Sequence, residues 1–205
     1  MKESLRMEEA CSKVQKKGAA SRTRSIAFVG LSIAIMAVSA WVTVPLGPVP
    51  FTLQMFAFAF AILVLTPKQC LAAIAGYLVL GAIGLPVFSS MRGGIGVLAG
   101  PTGGYLWGCR VCAALVLLVL HALRGRFEGD GKVSVVKGLV LDVAVCLVFL
   151  CVVYVCGWAQ FMAVTGTDPM AAFMTTIAPF VVVDVLKMVA AAICARAVRT
   201  AVPQR

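Results

Sequence analysis

Charge is scarce in this chain. Only 13% of the residues are Asp, Glu, Lys or Arg, and none lies between Arg24 and Lys68, between Lys68 and Arg92, or between Asp142 and Asp168. Such runs exclude a water-exposed globular fold. With 61% hydrophobic residues and a mean hydropathy of +1.02, the composition is that of a multi-span integral membrane protein. Histidine is nearly absent as well. The single one, His121, leaves no basis for a Ser-His-acid triad. There is no G-x-x-x-x-G-K-[ST] phosphate loop, no H-E-x-x-H and no G-x-S-x-G, and the glycines of 93–104 do not fit G-x-G-x-x-G. No span carries paired carboxylates. ATP hydrolysis and the common hydrolytic chemistries are therefore not expected of this chain. The eight cysteines form no framework: Cys11 stands in the N-terminal tail, and the others lie in or near apolar runs. The Cys109-x-x-Cys112 pair has no second ligand pair beside it, so it reads as buried small hydrophobes rather than a metal or redox site.

The apolar runs divide into six expected spans, near 25–45, 50–66, 69–86, 104–123, 137–162 and 171–195. Each must supply roughly 20 residues to cross the hydrocarbon. The uncharged run after Arg24 holds two of them, broken by Pro45-Leu46-Gly47-Pro48-Val49-Pro50. The expected organisation is an all-α membrane domain over 25–199, a polar, basic tail over 1–24, and a short C-terminal tail over 200–205. The long polar tail argues against a cleaved signal peptide. Seven Lys and Arg fall in residues 1–24, Lys68 lies between spans two and three, and Arg124, Arg126, Lys132 and Lys137 follow span four. Arg196, Arg199 and Arg205 close the chain. With six spans all of these share one side, which the positive-inside rule makes cytoplasmic, so both termini are expected there. The net charge of +10 is then a topology signal, and nucleic-acid binding is not needed to explain it.

The opposite side holds the least regular stretch. Residues 84–105, GLPVFSSMRGGIGVLAGPTGGY, contain seven glycines and two prolines and do not make a continuous helix. Non-helical backbone at membrane depth is tolerated where protein buries it or where it lines a cavity. A ligand-capping segment over 86–104 is expected, with Arg92 as its cation, suited to a carboxylate or else to lipid headgroups. Inside the spans, Asp184 and Lys187 stand three residues apart and share a helix face. They are either a ligand-facing acceptor and donor or a structural ion pair. Arg110, just inside span four, can meet a helix terminus or a partner group. Asp142, early in span five, is expected to face the cytoplasmic interface. Small residues Ala27, Gly30, Ala34 and Ala37 recur at helical spacing in span one and suit close helix approach, within this protein or onto another. Trp41, Tyr105, Trp107 and Trp158 are interface anchors or pocket walls.

Four ordered motifs carry a family resemblance. Pro48-Val49-Pro50-Phe51-Thr52-Leu53-Gln54, Gly84-Leu85-Pro86-Val87-Phe88, Gly100-Pro101-Thr102-Gly103-Gly104-Tyr105, and Pro179-Phe180 followed by Asp184-x-x-Lys187 resemble signatures of the BioY family. That family comprises the biotin-specific substrate-binding (S) components of energy-coupling-factor (ECF) transporters. The resemblance runs from about residue 24 to 198. It implies a six-helix S-component fold in a bacterial cytoplasmic membrane and high-affinity capture of biotin at the outer face. It also implies a transmembrane T component and two cytoplasmic ABC-type ATPases as partners. No cofactor is implied, biotin being cargo. On this resemblance Asp184 accepts from a ureido N–H and Lys187 donates to the ureido oxygen. Arg92 neutralises the valerate carboxylate, and Phe88, Tyr105 and Trp107 wall the apolar part. Gln54 and Thr52 belong to a matched motif, and they either contact ligand or satisfy backbone groups freed by the prolines. The Ala27, Gly30, Ala34 face is the candidate docking surface. Arg110 and the cysteine-rich fifth span depart from the pattern. An S component for another vitamin, a stand-alone transporter and a membrane enzyme are the competing readings.

Overall fold

The computed structural model describes the backbone of residues 2–44, 49–127 and 135–201, and the side chains of 22–44, 49–115 and 137–201. Residues 45–48 of the expected turn, the side chains of His121, Arg124, Arg126 and Lys132, those of Cys11 and the tail cations before Arg22, and Arg205 lie outside these residues.

The first helix, α1 (Lys2–Trp41), runs without a break from the polar tail into the first span, and its apolar part, Arg22–Trp41, is long enough to cross a bilayer. Beyond Trp41 the chain is extended. Strand β1 (Thr43–Val44) pairs antiparallel with β2 (Phe51–Thr52), Thr43 opposite Thr52 and Val44 opposite Phe51. The ladder ties the first motif segment, Pro48–Gln54, to the end of α1.

Helix α2 (Gln54–Val64) has only 11 residues, about 16 Å at 1.5 Å per residue, against a hydrocarbon thickness of about 30 Å. Helix α3 (Pro67–Ala82) has 16. Helices α2 and α3 correspond in order to the expected passes 50–66 and 69–86, but both are shorter than those passes. Helix α3 starts where the sequence stops α2. Pro67 takes the first helical position, and the Thr66 N–H donates to Gln69 Oε1 at 3.2 Å. A 3₁₀ turn (Ser89–Met91) and the five-residue α4 (Ile95–Ala99) interrupt the glycine-rich segment.

Helices α5 (Gly103–Phe127) and α6 (Val135–Thr165) follow the expected fourth and fifth spans. They pack at backbone distance. A Cβ at Gly104 would overlap the Cys156 carbonyl oxygen, one at Gly157 would meet the Tyr105 ring, and one at Gly108 would stand 2.9 Å from Cys156 Cβ. The Gly104-x-x-x-Gly108 spacing is the small-residue device of membrane helix pairs, where van der Waals contact replaces the hydrophobic effect as driving force.

The sixth pass corrects the expectation of one unbroken helix over 171–195. It consists of α7 (Pro169–Thr176) and α8 (Val181–Ala201), bent by 50° across the break. Pro179 lacks an N–H and its ring would clash within a helix interior, so the chain turns there. Asp168 begins α7 by accepting the Met170 N–H at 3.0 Å.

The core runs along the bundle through Met36, Phe58, Tyr77, Phe88, Phe149 and Met188, all fully buried. At the end opposite the glycine-rich segment, Asp142 is buried rather than facing an interface. Arg196 Nε donates to its Oδ2 at 3.0 Å, and Arg199 donates to the same oxygen. The pairing clamps α6 to α8 and explains why a carboxylate is tolerated inside the bundle.

Candidate functional site

The break in the last pass, the extended strand β2 and the glycine-rich segment enclose a single concave space. It has an empty volume of about 700 Å³, open solvent at its mouth included. Phe51, Thr52, Gln54, Phe88, Arg92, Val97, Tyr105, Leu106, Tyr154, Phe180, Asp184 and Lys187 are among its walls. Most of that surface is apolar.

Its polar end is a connected network. Asp184 lies in the first turn of α8, because the helix restarts at Val181. The carboxylate therefore sits near a helix N-terminus, where the macrodipole favours negative charge. Lys187 follows three residues on, and its Nζ is 2.7 Å from Asp184 Oδ1, with both side chains 8% exposed. The same ammonium donates to the Thr52 carbonyl oxygen at 2.7 Å and stands 3.6 Å from the centroid of the Phe51 ring. The second carboxylate oxygen accepts from the Tyr154 hydroxyl at 2.6 Å. Phe51 stacks with Phe180 at 6.3 Å between centroids. The pair thus joins α8, α6 and β2 at one point, and no buried side-chain polar atom among the described residues lacks a partner.

The glycine-rich segment forms a strap across the cavity. Phe88 and Arg92 pair across its tight turn, with Ser90 and Met91 in the left-handed region at φ 58° and 56°. Gly93 permits the strap to pass against the backbone, since a Cβ there would overlap the carbonyl oxygens of Leu85 and Gly84. Side-chain donors from three helices anchor the strap at its carbonyls. Trp41 Nε1 donates to Pro86 O at 2.7 Å, Tyr77 Oη donates to Val87 O at 2.7 Å, and Gln160 Nε2 donates to Leu98 O and Gly100 O at 2.9 and 2.8 Å. Arg92 is exposed, and its Nε reaches only the Ser89 carbonyl, at 3.4 Å. It lines the same cavity as the buried pair but is itself open to the outside.

Of the residues singled out in the sequence, Asp184, Lys187, Arg92, Tyr105, Phe88 and Gln54 all come together on this cavity. Gln54 also supports the wall behind it, donating to the Tyr77 hydroxyl at 2.9 Å. Trp107 is a correction. Two residues beyond Tyr105, it lies on a different face of α5, is 42% exposed, and donates to Leu98 O at 3.3 Å. Tyr154, Phe51 and the Thr52 carbonyl were not expected. Tyr154 had a signal, being the one tyrosine in the 143–167 uncharged run, where a buried hydroxyl needs a partner. Ala27, Gly30 and Ala34 are exposed on α1, and a Cβ at Gly30 would meet nothing within 4 Å. That face packs against no part of the described bundle.

Comparison with known proteins agrees with this architecture. The family model described as the BioY family matches residues 8–204. The chain is 39% identical over 172 residues to a biotin transporter BioY of Thermotoga maritima, covering 84% of this chain and 94% of that one. It is 34% identical over 174 residues to a probable biotin transporter BioY of Pyrococcus horikoshii, covering 85% and 95%. The crystal structure of an S-component for biotin from an ECF-type ABC transporter superposes with a TM-score of 0.77 at 20% identity, covering 88% of this chain and 93% of that one. The bundle has the S-component fold, and the chain belongs to the BioY family.

Proposed function

We propose that this protein is the biotin-capturing membrane subunit of an ECF-type uptake transporter. One observation carries the reading: a buried, fully bonded Asp184–Lys187 pair lines a mostly apolar cavity that the exposed Arg92 also lines. Biotin has the matching polarity. Its ureido ring offers two N–H donors and a carbonyl acceptor, its thiophane and chain are apolar, and its tail is a carboxylate. Asp184 accepts from a ureido N–H while Lys187 donates to the ureido oxygen. Phe51, Phe88, Tyr105 and Phe180 cover the apolar part. Arg92 meets the carboxylate, where its planar fork can bind both oxygens. Because Tyr154 and Lys187 already occupy the Asp184 oxygens, the ligand enters by sharing those acceptors, and analogues that cannot do so leave buried groups unpaired.

The cycle runs from capture at the outer face, through closure of the strap, to release inside when partner ATPases act through a T component. The termini face the cytoplasm of a bacterial cell. ATP hydrolysis belongs to the partners, and the outward Ala27, Gly30, Ala34 face of α1 is the T-component contact. The test is equilibrium biotin binding to the purified chain in detergent, with Asp184→Asn and Lys187→Ala alongside. Tight binding by the parent and loss in both variants is the expected result. A folded parent that ignores biotin but takes another vitamin would overturn the ligand, and binding that survives both changes would overturn the site.

A further inference from the structure

Arg110 is unlike every other described cation within the apolar bundle. Lys187 is paired with Asp184, and Arg196 and Arg199 are paired with Asp142. Arg110 is exposed, and no hydrogen bond, ion pair or ring contact joins it to any other described residue. Exposed apolar side chains flank it on α5: Trp107 one turn before it, and Val111 and Leu115 on the adjoining face. The opposite face of the helix, with Gly104 and Gly108, is closed against α6.

The Arg110 guanidinium brings a positive charge and a fork of N–H donors to that apolar face. It therefore needs an anion or water within reach. Its position says where. Arg110 stands seven residues into α5, about 10 Å from the helix start at 1.5 Å per residue, while half the hydrocarbon thickness is about 15 Å. Side chains on a helix lean toward its N-terminus, which here is the cavity end of the bundle. The apolar stem of Arg110 thus lies along the helix, and its head rises toward the membrane surface on that side. The Trp107 indole, fixed by its bond to Leu98 O at 3.3 Å, stands one turn nearer that surface, as an amphipathic ring does at headgroup level.

We infer that the Trp107–Arg110 face of α5 binds the phosphate of a phospholipid in the leaflet on the cavity side. Charge complementarity selects this occupant over a second copy of the chain. Among the described residues the carboxylates of the bundle are Asp142 and Asp184, both buried and paired, and Asp168, which caps α7. Asp142 and Asp184 are turned inward, and the exposed Asp168 is engaged by the Met170 N–H at the start of α7. A phosphodiester brings a full negative charge and several acceptors for the guanidinium fork, and its acyl chains cover Val111 and Leu115.

The test compares the full chain with Arg110→Gln and Arg110→Lys, purified in detergent, by native mass spectrometry against added phosphatidylglycerol. Diacylglycerol serves as a phosphate-free probe and inorganic phosphate as competitor. Arg110→Gln is expected to lower retention of phosphatidylglycerol about tenfold and Arg110→Lys less, with diacylglycerol retention equal in all three and biotin binding unchanged. Equal phosphatidylglycerol retention in parent and Arg110→Gln would overturn the inference. So would displacement of the lipid by millimolar inorganic phosphate, which marks a soluble-anion site. A change of oligomeric state or loss of a co-expressed T component in Arg110→Gln, with lipid retention intact, would instead assign the face to a protein.

Discussion

The Asp184–Lys187 pair separates stability from recognition, and a double-substitution cycle reads the two apart. Both side chains are 8% exposed, and their charged atoms are 2.7 Å apart. Lys187→Met leaves the Asp184 carboxylate with the Tyr154 hydroxyl alone. Asp184→Asn leaves the Lys187 ammonium with the Thr52 carbonyl and the Phe51 ring. Either change strands a buried charge, which costs about 3–5 kcal/mol, whereas replacing both partners by neutral groups of similar volume is close to neutral. At about 2–4 °C per kcal/mol for a chain of this size, each single variant loses about 6–20 °C in thermal midpoint. The Asp184→Asn/Lys187→Met double variant returns to within a few degrees of the parent. Biotin binding follows a different pattern and is lost in both singles and in the double, because the ligand needs both the acceptor and the donor. The assay is thermal unfolding in one detergent, followed by tryptophan fluorescence, with equilibrium biotin binding on the same preparations. A double variant destabilised by the sum of the singles would refute the charge-burial argument. A stable double variant that still binds biotin would refute the role of the pair in recognition.

Tyr154→Phe removes one hydrogen bond to a charged acceptor, worth about 1.5–3 kcal/mol, and is expected to weaken biotin binding by roughly tenfold or more while the chain still folds; unchanged affinity would show that the hydroxyl does not orient Asp184. Gly93→Ala forces the strap away from the carbonyls of Gly84 and Leu85, so biotin should dissociate faster in stopped-flow exchange, and an unchanged off-rate would show that the strap does not retain the ligand. Gly30→Leu or Ala34→Leu adds bulk to an outward face and should impair uptake in cells with binding intact; lost binding would mean that the face packs within the protein.

The chemistry of the cavity was legible because a membrane makes polar residues conspicuous. Asp184 and Lys187 interrupt an apolar run, and Arg92 is the one cation in a glycine-rich stretch. The same contrast made the passes legible in order. What was not legible came from the backbone and from other helices. Thr52 contributes a carbonyl, which every residue has, so no side chain announced it. Tyr154 stands 30 positions from Asp184, and only the packing of α6 on α8 brings its hydroxyl to the carboxylate. Trp107 looked like a wall because it neighbours Tyr105, but residues two apart on a helix do not share a face.

Composition and charge placement alone therefore determined that the chain is a membrane bundle, how its passes are ordered and which polar groups need partners. Those follow from the cost of charge and unbonded backbone in hydrocarbon, which acts on each residue where it stands. Tertiary structure alone decided that the Tyr154 hydroxyl of α6 meets the Asp184 carboxylate of α8. It also decided that glycines bring α5 against α6, and that strand β2 delivers a carbonyl to Lys187. Those depend on distances between segments far apart in the chain, and only close packing sets them.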